Sequence, residues 1–592
     1  MNFTRIGFLG LLSVLATSIS AQTSTCALSP IAVEDRISES EEAVWATETR
    51  CFCAWDDQHN SLVTLHELEI KHRWIGSSNA HRIWVLTEGG QLGSVGRTVY
   101  GAAQIAAAQE GVFLLKKVTE RTFETQNLPV VYELVCGPQG QFSLTDGQMA
   151  DCWGTVSASL EAFQAHYFSQ SEPFSISAMN ERPGNQVKGR ANASITRLSP
   201  NPIIGGMQTL TIEGSGFGSS QGNSYVSFAR DGVNYFDANT AKGFVYKSWS
   251  DSKIEVEVPE TYSGKVRVYV NGIYGESADV LHVKANVGMA TINPREYFHL
   301  WNLNENGGHT WYIRRDLYNN TEARACIEGV FAEFRCKTGV NYTLTRQPTW
   351  VKSDLGDGVN SLLMDSTGYD LPNGVVAYYE QLWYSCILGG RTFYYVVGQE
   401  LRISRRFNYY YGKGSIPQGK NAKLSYVLFH ELGHSLQLGH VNEDGESMHP
   451  VVQALPADNW NKRDTLTTFD VKAGSYLVQE SQQFDFRACG VSPMSTISNC
   501  ADVYGENASL SPAIARMEMT VLPNPSQGTA QLMMNIDRPE ALEMSIVNAS
   551  GQQVYQAPLQ GHQHSLPKLP SGLYFITVTG QELLGFTRWV VE

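Results

Sequence analysis

Three histidines and a glutamate near residue 430 have the residue types and the spacing of a metal site with an adjacent base. His430 and His434 are four residues apart in a segment whose leucines recur every fourth position, which predicts a helix with both imidazoles on one side. Glu431 follows the first histidine, and its carboxylate can reach a water molecule on a shared ion. His440 comes after Gly439, so the helix must end and the chain must turn back. Three neutral nitrogens leave one tetrahedral position of zinc open, as a catalytic site requires.

This segment resembles the metzincin metalloproteases and, among these, the matrixins. The family pattern HExxHxxGxxH is matched here by His430, Glu431, His434 and His440. Met448, eight residues after the third histidine, is at the position of the family's Met-turn, a tight turn beneath the metal. The resemblance implies an α+β metzincin-like catalytic domain, in which a mixed sheet accompanies the active-site helix. It also implies one catalytic Zn²⁺ and peptide-bond hydrolysis by a zinc-activated water, with Glu431 as general base.

One position departs from the family pattern. The glycine that matrixins have between the second and third ligands is Gln437 here. That glycine takes a left-handed backbone conformation, which costs a non-glycine residue roughly 1 kcal/mol. We expect Gly439 to take part of the turn instead. The departure leaves the loop geometry open but removes no ligand.

Residues 1–21 predict a secretory signal peptide. Arg5 precedes an apolar run at 6–16, and small residues follow up to a cleavage site near Ala21. The alternative is a transmembrane anchor, which is disfavoured because this run is too short to span a bilayer. No later stretch approaches ~20 continuous apolar residues. We therefore expect a secreted chain without a transmembrane helix.

Length and composition limit the function classes. A chain of 592 residues has room for about four domains of ~150 residues each. Its net charge of −14 argues against nucleic acid as a partner, because phosphate binding requires a basic surface. Ten cysteines fit an oxidising compartment.

The cysteine positions permit a partial prediction of the disulfides. Cys326 and Cys336, ten residues apart on one predicted helix, are separated by about 15 Å along its axis, so they cannot pair with each other. Either can pair with Cys386. Cys51 and Cys53 form a Cys-x-Cys pair, which we interpret as disulfide halves, with a metal pair as the alternative.

The first half of the chain is predicted to contain two β-rich domains. Residues 22–170 form an N-terminal domain of open role, for which position alone leaves a propeptide function as one option, and the polar residues 171–194 form a linker. Residues 195–285 contain Ser199-Pro200 and the run LTIEGSGFG at 210–218, which resemble an IPT/TIG domain. This resemblance implies an immunoglobulin-like sandwich that spaces or binds.

Residues 288–485 are assigned to the catalytic domain. We expect a strand over His309–Leu317, a helix capped by Asn320 or Thr321, and strands over Val375–Tyr384 and Gly398–Arg406, one of them an edge that holds an extended substrate. Thr467 and Asp470 have the spacing of a capping box that opens the closing helix. A calcium site remains open, with a solvated acidic loop as the alternative reading of Asp354, Asp357 and Asp365.

The C-terminal part is predicted to be a linker at 486–515 followed by a compact β module at 516–592. The module carries PNPSxG at 523–528, GxxV at 551–554 and LxSGxYxxxV at 569–578. These patterns resemble the C-terminal sorting domain of type IX secretion cargo, which implies a C-terminal β-sandwich. They also imply the type IX machinery as a partner and a location outside a Gram-negative cell, either secreted or attached to its surface.

Together these features predict a multidomain protein in which β-rich domains flank the catalytic domain. The predicted function is a secreted or surface-attached zinc-dependent endopeptidase that acts on proteins or peptides. The alternative is a surface adhesin or binding protein whose protease-like domain is inactive, and Gln437 is the feature that favours it. The natural substrate remains open.

Overall fold

The computed structural model describes most of the chain after the predicted signal peptide. The described residues are 28–56, 61–93, 95–119, 121, 123, 128, 130–145, 147–152, 156–169, 193–230, 235–238, 244–288, 298–301, 307–349, 360–365, 371–388, 391–451, 465–483, 492–504, 515–516, 518–524, 526–527, 529–535, 542–548, 553–559, 563–579 and 583–591. The predicted signal peptide at 1–21 and nearly all of the predicted linker at 171–194 lie outside these ranges. Within the described ranges, no helix is both long enough and apolar enough to cross a bilayer.

The N-terminal domain (residues 28–169) is β-rich, as predicted. Its first strand, Glu42–Trp55, pairs on one side with Leu62–Ile75 and on the other with Glu110–Lys117. Arg82–Glu88 and Val131–Leu134 connect these neighbours, so the strands close into a ring around buried aliphatic side chains. The other elements are Val33–Ser38 and Leu160–Tyr167 (helices), Gly137–Gly140 (a 3₁₀ turn), and the strands Gly90–Leu92, Val95–Tyr100, Gln141–Thr145, Gln148–Ala150 and Val156–Ser159.

The sandwich (residues 193–288) consists of two antiparallel sheets with alternating buried residues between them. One sheet contains Ser194–Ser199, Thr209–Ser215, Lys253–Glu257 and Tyr246–Trp249. The other contains Tyr235–Ala238, Tyr225–Ala229, Arg267–Val270 and Ile273–Glu276. A third, small sheet joins Ile203–Gly205 and Val283–Val287 to Leu438–Gly439, beside the third histidine.

The histidine domain (residues 298–504) has a mixed sheet covered by helices. In spatial order its strands are Tyr342–Leu344, His309–Ile313, Asn360–Met364, Arg391–Ile403 and Ala377–Leu388, with Phe298–His299 also beside Arg391–Ile403. The sheet continues beyond Ala377–Leu388 with Val95–Tyr100 and Gly90–Leu92 of the N-terminal domain. The pairings before Ala377–Leu388 are parallel, and those from Ala377–Leu388 onwards are antiparallel. The helices are Arg315–Asn319, Thr321–Thr338, Leu424–Ser435 and Thr468–Gln483, and Tyr409–Tyr410 pairs with Ala422–Lys423.

The strand predicted over His309–Leu317 is shorter than expected. It ends at Ile313, and Arg315–Asn319 is helical. Asp316 lies in the first turn of this helix, where a negative charge is favourable, and its carboxylate accepts a hydrogen bond from the backbone N–H of Leu317 at 3.0 Å. The following helix is capped by Asn320, whose side chain accepts from the N–H of Ala323.

The linker predicted at 486–515 is wrong for residues 492–504, which pack against the histidine domain. Cys500 forms a disulfide with Cys336, with the Cα atoms 4.8 Å apart. The Arg335 guanidinium donates to the backbone carbonyls of Asn499 and Cys500, and Met494 is buried. These contacts fix residues 492–504 to the histidine domain, although their polar composition is typical of a linker.

The disulfide prediction requires a correction. Cys336 is bonded to Cys500 and not to Cys386. Cys386 is also disulfide-bonded, whereas Cys326 keeps its thiol. Cys51 and Cys53 are not in disulfides either, which contradicts their interpretation as disulfide halves.

The C-terminal module (residues 515–591) is a β-sandwich with a small apolar core. One sheet contains Ala515–Arg516, Leu583–Val591, Gly572–Thr579, Leu542–Asn548 and Gln553–Leu559. The other contains Glu518–Leu522, Gln531–Asn535 and Gln563–Ser565. The Trp589 indole is fully buried in the core and donates to the hydroxyl of Ser526 at 2.7 Å.

Candidate metal centre

The helix Leu424–Ser435 presents the first two predicted ligands from inside the domain. Its leucine row is fully buried, and the Phe429 ring lies 6.0 Å from that of Phe334 on the neighbouring helix. His430, Glu431 and His434 are each completely buried as well. Every residue of this helix except Ser425 is buried, so His430, Glu431 and His434 lie inside the domain rather than at its surface.

The three predicted ligands converge. The Nε2 atom of His430 lies 3.2 Å from that of His434 and 3.1 Å from that of His440. The Nε2 atoms of His434 and His440 are 2.9 Å apart. These are close to the ligand–ligand separations of about 3.3 Å expected for nitrogens at ~2.05 Å from a tetrahedral zinc.

Backbone carbonyls set the tautomers of two of these rings. The Nδ1–H of His430 donates to the Ser447 carbonyl at 2.9 Å, and that of His434 to the Leu438 carbonyl at 2.8 Å. The Nε2 atoms of both rings therefore carry lone pairs and face each other. Burial, followed by the proximity of His430, lowers the pKa of His434 and keeps this imidazole neutral.

Gln437 takes the left-handed turn that the family pattern assigns to glycine. Its φ is +66°, whereas Gly439 does not have a positive φ, so the expectation that Gly439 would take the turn is wrong. Gln437 and Gln381 exchange side-chain amide hydrogen bonds of 2.8 and 3.1 Å. This amide pair is buried and holds the strained residue against Ala377–Leu388. That strand is the last one of the histidine domain itself, but Val95–Tyr100 pairs with its outer side, so the predicted open edge is covered in this structure.

The loop that carries the third ligand is held by the sandwich. Asn286 donates from Nδ2 to the His440 carbonyl at 2.6 Å and to the Thr261 carbonyl at 2.8 Å. Gly439 allows this close approach, because a Cβ there would lie 2.0 Å from Glu260 Oε1. Asn286 was not predicted, and its neighbours in the sequence carry no signal of this contact.

Met448 lies under the helix between the first two ligands. A Cβ on Gly433 would be 2.3 Å from its sulfur, so only glycine permits this contact. The backbone carbonyl of Met448 accepts from the N–H of Val441, which joins the turn to the residue after the third ligand. Met448 is fully buried, and the structure brings it together with the three histidines.

Asp470 is a buried carboxylate behind the first ligand. It accepts hydrogen bonds from the Ser447 hydroxyl and from the Thr467 hydroxyl and N–H. Asp470 N–H in turn donates to the Thr467 hydroxyl, which completes the predicted capping box. Since the Ser447 carbonyl holds His430, Asp470 positions this imidazole through one intermediate residue. Burial raises its pKa to about 6.

Of the three aspartates considered for calcium, only Asp365 lies among the residues that the structure describes. Asp354 and Asp357 lie outside the described residues. Asp365 is buried and accepts from the backbone N–H groups of Leu371 and Arg405 at 3.2 and 2.8 Å. These amides account for its burial by tying two loops together, and calcium stays an untested prediction.

Family comparisons identify the two flanking modules. Residues 193–280 match the IPT/TIG domain family, and residues 520–592 match the secretion system C-terminal sorting domain. The protein is therefore secreted or attached to the outer surface of a Gram-negative bacterium, by way of the type IX machinery. No curated protein matches the chain. The chicken CNTN1 FN1–FN3 structure matches over 68% of this chain and 99% of its own, at 8% identity and a TM-score of 0.13, too low to carry a structural argument.

We predict that Gln437→Gly destabilises the protein. Glycine relieves left-handed strain of about 1 kcal/mol, but the buried Gln381 amide N–H loses its acceptor, at about 1–3 kcal/mol. Urea unfolding of the wild type, Gln437→Gly, Gln381→Ala and the double variant measures the balance and the coupling of the pair. Equal or greater stability of Gln437→Gly would contradict the stabilising role of this pair.

We predict that Asp470 makes stability fall as pH rises from about 4 to 6. Its folded pKa of about 6 lies above the ordinary carboxyl value of 3.8, so the folded state binds the proton more tightly and is favoured at low pH. The slope from one such group is at most about 1.4 kcal/mol per pH unit. Unfolding midpoints of the wild type and Asp470→Asn across this range should diverge; parallel pH curves would refute the assignment.

Proposed function

We propose that the chain is a secreted or surface-attached zinc-dependent endopeptidase with a matrixin-like metzincin catalytic domain. The observation that carries the proposal is the convergence of three buried imidazole nitrogens, of which two are fixed as lone-pair donors by backbone carbonyls. Two unprotonated nitrogens 3.2 Å apart cannot hydrogen-bond to each other. A cation between them accounts for the arrangement.

The donor set fits zinc. His430, His434 and His440 would hold the ion through Nε2, and the Nδ1–H groups of the first two are already oriented by carbonyls, as ligating histidines usually are. Three protein ligands without a fourth leave a position for water or substrate. When bound, zinc supplies a Lewis acid and lowers the pKa of its water towards ~7.

Glu431 is the proposed general base. It is fully buried and follows His430 on the helix that carries two ligands. In the proposed reaction, its carboxylate takes the proton of the attacking water and returns it to the leaving amine.

The surrounding fold supports an endopeptidase. The mixed sheet lies beside the helix that carries His430 and His434. Its antiparallel strand Ala377–Leu388 is linked through the Gln381–Gln437 pair to the loop that leads to His440. An extended peptide on this strand would run past the histidines. Met448, directly beneath Gly433, supports the matrixin-like assignment.

A second candidate is a surface adhesin or binding protein whose protease-like domain is inactive. The observation that favours it is that Val95–Tyr100 of the N-terminal domain pairs with Ala377–Leu388 and covers the strand on which a substrate would lie. The IPT/TIG match is compatible with either function. Metal content and the effect of Glu431 separate the two candidates.

We predict that Glu431→Gln in the full chain keeps zinc at one ion per chain but loses casein cleavage by ~10²–10⁴-fold, because the amide binds no proton. Zinc is measured by inductively coupled plasma mass spectrometry, and cleavage by release of labelled fragments. The matched control is His440→Ala, which should reduce both zinc and activity. A zinc-loaded, active Glu431→Gln chain would exclude the proposed base, and a wild type without zinc would exclude the peptidase.

A further inference from the structure

The edge of the histidine-domain sheet is already paired with a strand from another domain. Val95–Tyr100 runs antiparallel to Tyr379–Tyr384, in the register Val95 to Tyr384 and Tyr100 to Tyr379. The short strand Gly90–Leu92 then covers the outer side of Val95–Tyr100. An antiparallel edge is the surface to which an extended peptide adds by backbone hydrogen bonds.

This strand ends at the candidate metal centre. The Tyr100 ring stacks on the ring of His434, with centroids 4.4 Å apart and planes inclined by 20°. Tyr100 also contacts the Tyr379 ring at 5.6 Å and is almost completely buried. A segment of the N-terminal domain is therefore in direct contact with a proposed zinc ligand.

Side chains secure the strand on the edge. Arg97 donates to Glu380 at 2.5 Å and to Glu88 at 2.6 Å, so it ties the edge strand to the N-terminal domain. Arg97 and Glu380 are both buried, and because an unpaired buried charge is strongly destabilising, each of them requires an oppositely charged partner. The Trp383 indole donates to the Thr98 hydroxyl at 3.0 Å and lies against Gly96.

A second segment of the same domain covers the other end of the edge. Leu28 forms bridges with Val375 in antiparallel sense and with Val451 in parallel sense, and its N–H donates to the Pro450 carbonyl at 2.9 Å. It therefore lies between the start of the edge strand and the segment that follows Met448. Gln139 of the N-terminal domain holds this segment by hydrogen bonds to Ser29 and Ile31.

We infer that the groove between Ala377–Leu388 and the segment after Met448 is a binding site for an extended polypeptide, filled in the intact chain by the N-terminal domain as an intramolecular pseudosubstrate. The inference rests on the proposed function. Two segments of one domain form backbone pairs with this groove, and Tyr100 at the end of one of them stacks on His434. Because these two segments belong to the same chain as the groove, their high effective concentration excludes a separate peptide from it. Withdrawal of the N-terminal domain opens the groove.

Gly96 offers a way to detach the strand without altering the histidine domain. A Cβ at this position would lie 1.9 Å from the Trp383 ring. We predict that Gly96→Val raises casein cleavage by the full chain ~10-fold or more, because activity scales with the fraction of open molecules. Arg97→Ala, which removes the ion pairs with Glu380 and Glu88, should raise it in the same direction. Gly93→Asn is the matched control in the same hairpin, since nothing lies near its Cβ and asparagine tolerates its positive φ.

Peptide binding separates failure of this inference from failure of the proposed function. A fluorescent peptide of residues 93–102 should bind the full-length Gly96→Val chain and not the wild type or Gly93→Asn. If no variant cleaves casein but the peptide binds only the opened chains, the groove inference stands and the peptidase proposal falls. Equal cleavage and equal peptide binding by all variants, or binding by none, would overturn the inference.

A separate cluster of metal-binding side chains lies in the ring of the N-terminal domain. One ligand atom each of Glu48, Cys51 and His66 lies within 4.8 Å of the others. Cys51 is directly opposite His66 in the strand pair, and Glu48 Oε1 is 4.0 Å from His66 Nδ1. A β-bulge between Glu48 and Arg50 turns Glu48 and Cys51 to the same face, although they are three residues apart.

The His66 ring points to an ion at this cluster. Its Nε2 shares a 3.0 Å hydrogen bond with the Thr87 hydroxyl, which directs Nδ1 towards Glu48. Nδ1 is buried and has no hydrogen-bond partner among the residues that the structure describes, and leaving such an atom unsatisfied is costly. We propose that a divalent cation of zinc type binds to Glu48, Cys51 and His66, because carboxylate, thiolate and imidazole are the ligands that zinc takes.

Bound Co²⁺ distinguishes this site from the three histidines, because only this site supplies a cysteine sulfur as a ligand. The full chain loaded with Co²⁺ should show a near-ultraviolet thiolate-to-cobalt charge-transfer band. Cys51→Ser should abolish the band and reduce bound metal by one ion per chain. Cys53→Ser, the matched control on the same strand, should keep both. Absence of the band in the wild type, or its persistence in Cys51→Ser, would overturn the site.

Discussion

The arrangement of the whole histidine domain depends on bringing unprotonated ring nitrogens together in a buried space. His430 and His434 each donate Nδ1–H to a backbone carbonyl, so their Nε2 lone pairs face each other at 3.2 Å. Such a contact is repulsive without a cation, and burial removes the water that would screen it. The helix, the turn at Gln437 and the loop to His440 are the elements that impose this contact.

The part of the site that depends on local spacing could be predicted from the sequence. Two histidines four residues apart, with a buried leucine row, determine a helix and the side from which both rings project. Met448 could be placed only through the family resemblance, because its distance from the third histidine matches that of the Met-turn. The positions of Asn286 and Gln381 could not, because each reaches the site from a distant part of the chain, and neither has a local pattern that marks it.

The errors in the fold prediction have the same origin. Composition at 486–515 indicated a linker, but the Cys336–Cys500 disulfide joins residues 164 apart and fixes part of that stretch to a helix. At Gln437 the family pattern required glycine, and strain of about 1 kcal/mol was expected to shift the turn. A buried amide pair with Gln381 offsets that strain, so the left-handed turn stays at position 437 although the residue there is glutamine and not glycine.

Two neighbouring domains contribute to the site in different ways. One helps to position the histidines, and the other covers the groove beside them. The sandwich adds a strand beside Leu438–Gly439 and holds the His440 carbonyl through Asn286. Removing it would loosen the third ligand. The N-terminal domain adds Val95–Tyr100 to the sheet edge but supplies none of the three histidines. Its withdrawal therefore exposes the groove while leaving the ligand geometry to the sandwich and the histidine domain. Because one domain holds the His440 loop and another covers the groove, access can change without moving the three histidines.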